Sequence, residues 1–212
     1  YAWGLAWWLG TAWHEIGRAD LYAADFRMVL VVLTGWLATE VHGRLPGRAL
    51  AWTGVAALFV AMPFAVAQDS AHGYPLAADG WIAWVLFVAA GWRTVGHLEG
   101  DDRSAARVGL RMSLGVLGSL CVHHFGGQAA LTVAWSLAGV VAWVLGSRRG
   151  DRTLWLVGAL LMGLVLAKLL LVDREHLGNL TGIASFLVFG VMCTVVGYLA
   201  PAPPKRATAP AA

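Results

Sequence analysis

The sequence predicts an all-α, polytopic transmembrane helix bundle, and three observations carry that prediction. Of 212 residues, 59% are hydrophobic and only 13% are charged. The mean hydropathy is +0.68, more apolar surface than a water-soluble domain can hide, so a bilayer is the natural solvent. Apolar blocks of spanning length recur along the chain, with Arg, Asp, His, Gly and Pro gathered between them.

A hydrocarbon core roughly 30 Å thick needs about 20 mainly apolar residues at about 1.5 Å rise each. Eight segments are expected to span, at about 1–13, 26–42, 49–67, 79–96, 107–123, 128–146, 153–172 and 179–199. The second ends in Glu40 and His42 and the fifth begins with Arg107 and Arg111, so each has a short apolar centre that tilt or snorkelling ends must complete. The helical domain covers residues 1–200. The tail at 201–212, PAPPKRATAPAA, has no apolar period and is expected to be a disordered cytoplasmic end.

The net charge of +3 does not indicate nucleic acid, because the basic residues form no stripe. They mark topology instead, since short cytoplasmic loops hold the excess of Lys and Arg. Arg44, Arg48, Arg93, Arg103, Arg107, Arg111, Arg148, Arg149, Arg152, Lys205 and Arg206 fall on one side of an eight-helix alternation. The opposite loops hold Arg18, Arg27 and Arg174, with Lys168 inside the seventh segment. Both ends are therefore expected in the cytoplasm. The chain opens in the apolar run YAWGLAWWLGTAW without a methionine, which reads as a cut rather than a signal peptide.

Packing signals are small residues four apart, which let backbones approach in lipid: Gly115 with Ser119, Ala159 with Gly163, and Gly190 with Thr194. Trp13, Trp52, Trp81, Trp92, Trp143 and Trp155 fall near expected interfaces, whereas Trp36 and Trp135 fall deeper. Cys121 and Cys193 form no CxxC pair, so neither a disulfide framework nor a zinc site is expected.

Ionisable side chains at membrane depth are costly and nominate sites. The strongest group ends the seventh segment, where LVLAKLLLVDREHLGN places Lys168 one turn inside the helix, Asp173 at its end, and Glu175 and His176 in the following loop. Lys168 and Asp173 are about 140° apart around a helix, not stacked as an i,i+4 pair. The same outer side is expected to carry His14, Glu15, Asp20, Asp25, Asp69, His72, Asp79 and the His123–His124 pair, the last two at a loop. Glu40, His42, Glu99, Asp101 and Asp102 read as solvated turns on the other side. No HExxH, GxSxG or phosphate-binding glycine loop is present, and no metal or cofactor is expected.

From Gln128 onward the chain carries a Q-x-x-L-x-x-x-W start ending at Trp135, and an R-x-L-W turn from Arg152 to Trp155. A K-L-x-L-V-D block runs from Lys168 to Asp173, and Ser185–Phe186, Gly190 and Gly197–Tyr198 close the stretch. In these features it resembles the C-terminal end of a family of very large predicted bacterial membrane proteins catalogued as domain of unknown function twenty-three thirty-nine. Family members usually read K-L-F where this chain has Lys168–Leu169–Leu170.

The resemblance implies a bacterial inner-membrane location and a C-terminal fragment of a longer chain. Its partners would be lipids, upstream helices and envelope proteins. It also favours Gln128, Lys168 and Asp173 over the histidines as site residues. The functional expectation is a structural or accessory membrane protein. The alternatives are a transporter of a small solute or lipid-linked substrate, and an envelope-modifying enzyme using Lys168, Asp173 and neighbouring His and Glu residues.

Overall fold

Helices follow the apolar blocks closely, and their ends fall where glycine or a polar turn interrupts them. The computed structural model of the chain describes residues 1–171 and 180–199. Among these there is no β-strand. The helices are α1 (Ala2–Ile16), α2 (Ala23–Arg44), α3 (Arg48–His72), α4 (Gly80–His97), α5 (Gly100–Arg149), α6 (Arg152–Leu171) and α7 (Leu180–Leu199), with a 3₁₀ turn at Gly17–Tyr22. Asp173, Glu175, His176 and the tail at 201–212 lie outside the described residues.

Glycine sets two of the breaks. Gly73, at φ 70°, stops α3 one residue after His72, its N–H donating to the Asp69 carbonyl at 2.7 Å, as a left-handed C-terminal residue does. Gly127, at φ 68° and ψ −164°, interrupts α5 in a region open essentially to glycine alone. The break divides α5 into arms at Gly100–Gln128 and Ala130–Arg149. The expected fifth and sixth spans are thus two helices that meet at a kink at Gly127. His123 and His124 correct the loop expectation, because helical hydrogen bonding continues through them and only Gly127 departs from it.

Among the described residues, four segments are long and apolar enough to cross a membrane: α3, both arms of α5, and α6. Among the others, α1 has 15 residues, α2 carries Asp25, Arg27, Glu40 and Arg44, and α4 carries Arg93 and His97. Large apolar side chains point outward throughout, including Leu37, Val85 and Leu160, which is 72% exposed. That is the pattern of a bundle in lipid rather than water.

The chain forms two compact units, Tyr1–Phe125 and Gly126–Ala212. In the first, α2 packs along both α3 and α4 around Met28, Val55, Leu58, Ala65, Trp84 and Phe87. Glycines permit the approach: a Cβ on Gly35 would collide with Ala57, and one on Gly54 with the Thr39 hydroxyl. Pro63 inside α3 withholds an amide from the Phe59 carbonyl. Beside that point the first arm of α5 seats Gly109 against Phe59 and donates the Ser113 hydroxyl to the Leu58 carbonyl at 2.6 Å.

In the second unit, the later arm of α5 and α6 form a hairpin. Gly150, at φ 65°, closes one helix, and the Asp151 carboxylate starts the next by accepting from the Thr153 and Leu154 amides at 3.0 and 3.2 Å. A Cβ on Gly146 or Gly158 would strike backbone across the hairpin. Met162, Val165, Leu169 and Phe189 form the core there. The small-residue pairs picked from spacing lie elsewhere: added methyl groups at Gly115, Gly163 and Gly190 would meet no described atom within 4 Å. Ser119 and Thr194 donate to their own helices.

Candidate functional site

A buried polar group in the first unit lies where the start of α2 meets the end of α3. Asp25, in the first turn of α2, is 3% exposed, and Gln68 is fully buried. Gln68 and His72 are one turn apart on α3 and so present neighbouring faces. The Gln68 amide donates to Asp25 Oδ1 at 2.6 Å, and His72 Nε2 meets Asp25 Oδ2 at 3.2 Å. The chain of bonds ends at Trp84 of α4, whose indole N–H donates to Gln68 Oε1 at 2.8 Å. Gly80 leaves room for it, since a Cβ there would lie on the Pro75 carbonyl and 3.4 Å from Asp25 Oδ1.

The donor types determine how this group is wired. An indole N–H can only donate, so Gln68 must turn its oxygen to Trp84 and its nitrogen to Asp25. An ionised Asp25 accepts from both Gln68 and a His72 that carries hydrogen on Nε2. A carboxylate beside an imidazole can hold and exchange a proton. On the other side, though, an amide and an indole do not titrate in the accessible range, so a proton can go no further that way.

Fifteen residues along α2, about 22 Å at helical rise, Glu40 makes the opposite link. Its Oε1 accepts from Trp36 at 3.1 Å and from Arg93 Nε and Nη2 at 3.1 and 2.9 Å. His97 Nε2 lies 3.7 Å from Oε2. Beside this link, the Thr39 and Thr94 hydroxyls meet at 3.4 Å. Glu40 is therefore paired across helices rather than closing a solvated turn, and His42 Nδ1 lies 3.1 Å from both the carbonyl oxygen and the amide nitrogen of Gly47, bonding one or the other according to its tautomer.

The histidine pair near the end of the first α5 arm divides its roles. His124 stacks on Tyr74 with ring centres 4.6 Å apart. Desolvation pushes the Tyr74 phenol above its ordinary pKa, and a hydrogen bond with the Cys121 thiol adds to the effect. His123 is half-buried, and its buried Nδ1 has no hydrogen-bond partner among the described residues.

In the second unit, Lys168 Nζ donates to the Thr132 hydroxyl at 2.7 Å, and that hydroxyl donates to the Gln128 carbonyl at 2.9 Å. Lys168 and Gln128 are thus linked through Thr132 by Gln128's backbone, while its side chain is exposed. The other candidate site residues of this segment, Asp173, Glu175 and His176, lie outside the described residues. Among the described residues no cluster of three or more His, Cys, Asp or Glu side chains is placed to hold a metal.

Sequence reasoning placed Asp25 and His72 on one side but did not join them, and it overlooked Gln68 and Trp84. The signal was available. Gln68 stands in a spanning-length apolar helix, four residues before a histidine, and a lone amide at that depth needs a partner.

An all-helical fold with apolar outer faces and cross-helix polar links defines a membrane-protein class. Comparison agrees: residues 117–203 match the family model described as predicted membrane protein (DUF2339), consistent with that family's C-terminal region. The match begins upstream of Gln128, within the first arm of α5. No curated protein and no solved structure matches the chain.

Proposed function

We propose that this chain is a multi-pass helical domain of a bacterial inner membrane with a structural or accessory role in the cell envelope. The observation that carries this reading is the fate of its deep polar groups, which are joined to one another across helices. Asp25 is tied to Gln68 and His72, Gln68 to Trp84, Glu40 to Arg93, and Lys168 to Thr132. Bonds of this kind fix which helices pair and in what register, which apolar contact alone does poorly in lipid.

On this reading α1, α2, α4 and α7 cross the bilayer with the four more apolar segments, giving eight crossings with both ends of the chain cytoplasmic. The basic residues at 44–48, 93–111 and 148–152 support that orientation. The Asp25–His72 link joins the start of α2 to the end of α3, and the Glu40–Arg93 link joins the ends of α2 and α4, which supports an α3 antiparallel to a parallel α2 and α4.

Reporter fusions at residues 70 and 150 test the topology: the first is expected outside and the second in the cytoplasm, and the reverse would overturn it. The role is tested in the full-length protein at matched expression. Asp25→Asn, Lys168→Ala and Asp173→Ala are each expected to keep the wild-type phenotype, while Gly158→Leu, which wedges the α5–α6 hairpin, abolishes it. Loss of phenotype from Asp25→Asn or Lys168→Ala with normal abundance and helicity would replace the structural role with a chemical one.

A further inference from the structure

The arginines near the start of α5 and the end of α4 differ in what occupies them. Arg93 is bound to Glu40. Arg103 donates to the Leu98 carbonyl at 2.6 Å and reaches that of Gly96 at 3.4 Å. Arg107 and Arg111 are exposed and have no hydrogen-bond or ion-pair partner among the described residues. Asp101 and Asp102, in the first turn of the same helix, make no ion pair with either of them.

Both arginines belong to the arm Gly100–Gln128, which is long and apolar enough to cross a membrane. The opposite face of that arm is committed to the bundle: Ala106 is in the core, Gly109 lies against Phe59, Leu110 against Gly91, and Ser113 is bonded to Leu58. Arg107 and Arg111 therefore face outward, about 10 and 16 Å along the helix from Gly100. An unpaired guanidinium is costly inside hydrocarbon, and a long side chain relieves the cost by bending toward the nearer headgroup layer.

We infer that Arg107 and Arg111 form a headgroup site for an anionic phospholipid. Residues four apart on a helix have Cβ atoms about 5–6 Å from one another, so two guanidinium forks can close on one phosphate. Exposed Val108 and Met112 beside them offer apolar contact to acyl chains. A zwitterionic headgroup brings its own cation to a doubly basic site, whereas an anionic one does not. The inference rests on the membrane reading above.

The test uses the full chain, first floated with liposomes and then delipidated in a neutral detergent. Native mass spectrometry then measures binding of phosphatidylglycerol and phosphatidylcholine with identical acyl chains. The wild-type chain is expected to prefer phosphatidylglycerol by on the order of tenfold. Arg107→Gln/Arg111→Gln should lose that preference with helicity unchanged, Arg107→Lys/Arg111→Lys should keep part of it, and Arg152→Gln should keep it all. Equal binding of the two lipids, or a preference unchanged in the glutamine variant, would overturn the site. So would displacement of phosphatidylglycerol by millimolar inorganic phosphate, which identifies a free-phosphate site instead. Failure of the wild-type chain to float would overturn the membrane reading itself.

Discussion

Replacing Gln68 with leucine tests the buried network at the residue that makes two of its three bonds. The side chain is fully buried, donates to Asp25 at 2.6 Å and accepts from Trp84 at 2.8 Å. Leucine of similar volume leaves little cavity, so the change isolates the two bonds. In a protein that unfolds into water, orphaning an indole N–H and withdrawing one donor from a carboxylate costs about 1–3 kcal/mol each. Helices separated within a bilayer or micelle retain other partners, and single interhelical bonds there average about 0.6 kcal/mol with a maximum near 1.7. The second reference state governs here, so Gln68→Leu is expected to destabilise the first unit by about 1–3 kcal/mol. Reversible unfolding in mixed micelles, followed by far-ultraviolet circular dichroism and tryptophan fluorescence, measures it. A double-mutant cycle with Trp84→Phe should return a coupling of about 0.6–1.7 kcal/mol. A Gln68→Leu cost below about 0.5 kcal/mol together with zero coupling would refute the claim that this bond helps hold α3 to α4.

The α5–α6 hairpin offers a packing test: Gly158→Ala places a methyl group on the Trp143 backbone and should cost about 1–3 kcal/mol in the same assay. Gly163→Ala and Gly190→Ala, with no described atom within 4 Å of an added Cβ, should be neutral or stabilise by up to about 1 kcal/mol through helix propensity; a large loss at either would mean that the face is covered. Gly127→Ala forces alanine to φ 68°, ψ −164° and should cost about 1–3 kcal/mol, with faster amide exchange over residues 123–131 as its local signature. With Cys121 and Cys193 changed to alanine, Thr39→Cys/Thr94→Cys should form a disulfide on mild oxidation, because those hydroxyls lie 3.4 Å apart. Intact mass should show the loss of two hydrogens, and its absence would contradict the packing of α2 on α4.

Much of the helical layout was legible in the sequence, because an apolar block bounded by Gly73 or Gly150 stops for local reasons. The break in α5 was placed near the right residue for a different reason. Histidines and glycines at 123–127 looked like a loop, whereas Gly127 alone departs from helical geometry. Partner choice was not legible. Asp25 and Gln68 are 43 residues apart, and only the phase of α2 and α3 at their crossing decides that they meet. The contact glycines were missed for the same reason: Gly115–Ser119 and Ala159–Gly163 have the spacing, but Gly146 and Gly158 have the facing backbone. Lys168 was singled out by its depth, and its bond to Thr132 needed the hairpin register.

The cross-links from α2 to its neighbours bear on how this chain reaches the bilayer. As α2 emerges from the ribosome it carries Asp25, Arg27, Glu40 and Arg44, a poor candidate for release into lipid by itself. The partner of Asp25 arrives with α3, and that of Glu40 arrives last, with Arg93 at the end of α4. If α2 crosses the bilayer as proposed, its insertion is completed by residues synthesised later. The insertion machinery must hold it until α3 and α4 follow, and a ribosome arrested before Arg93 should leave α2 extractable by alkali while a later arrest should not.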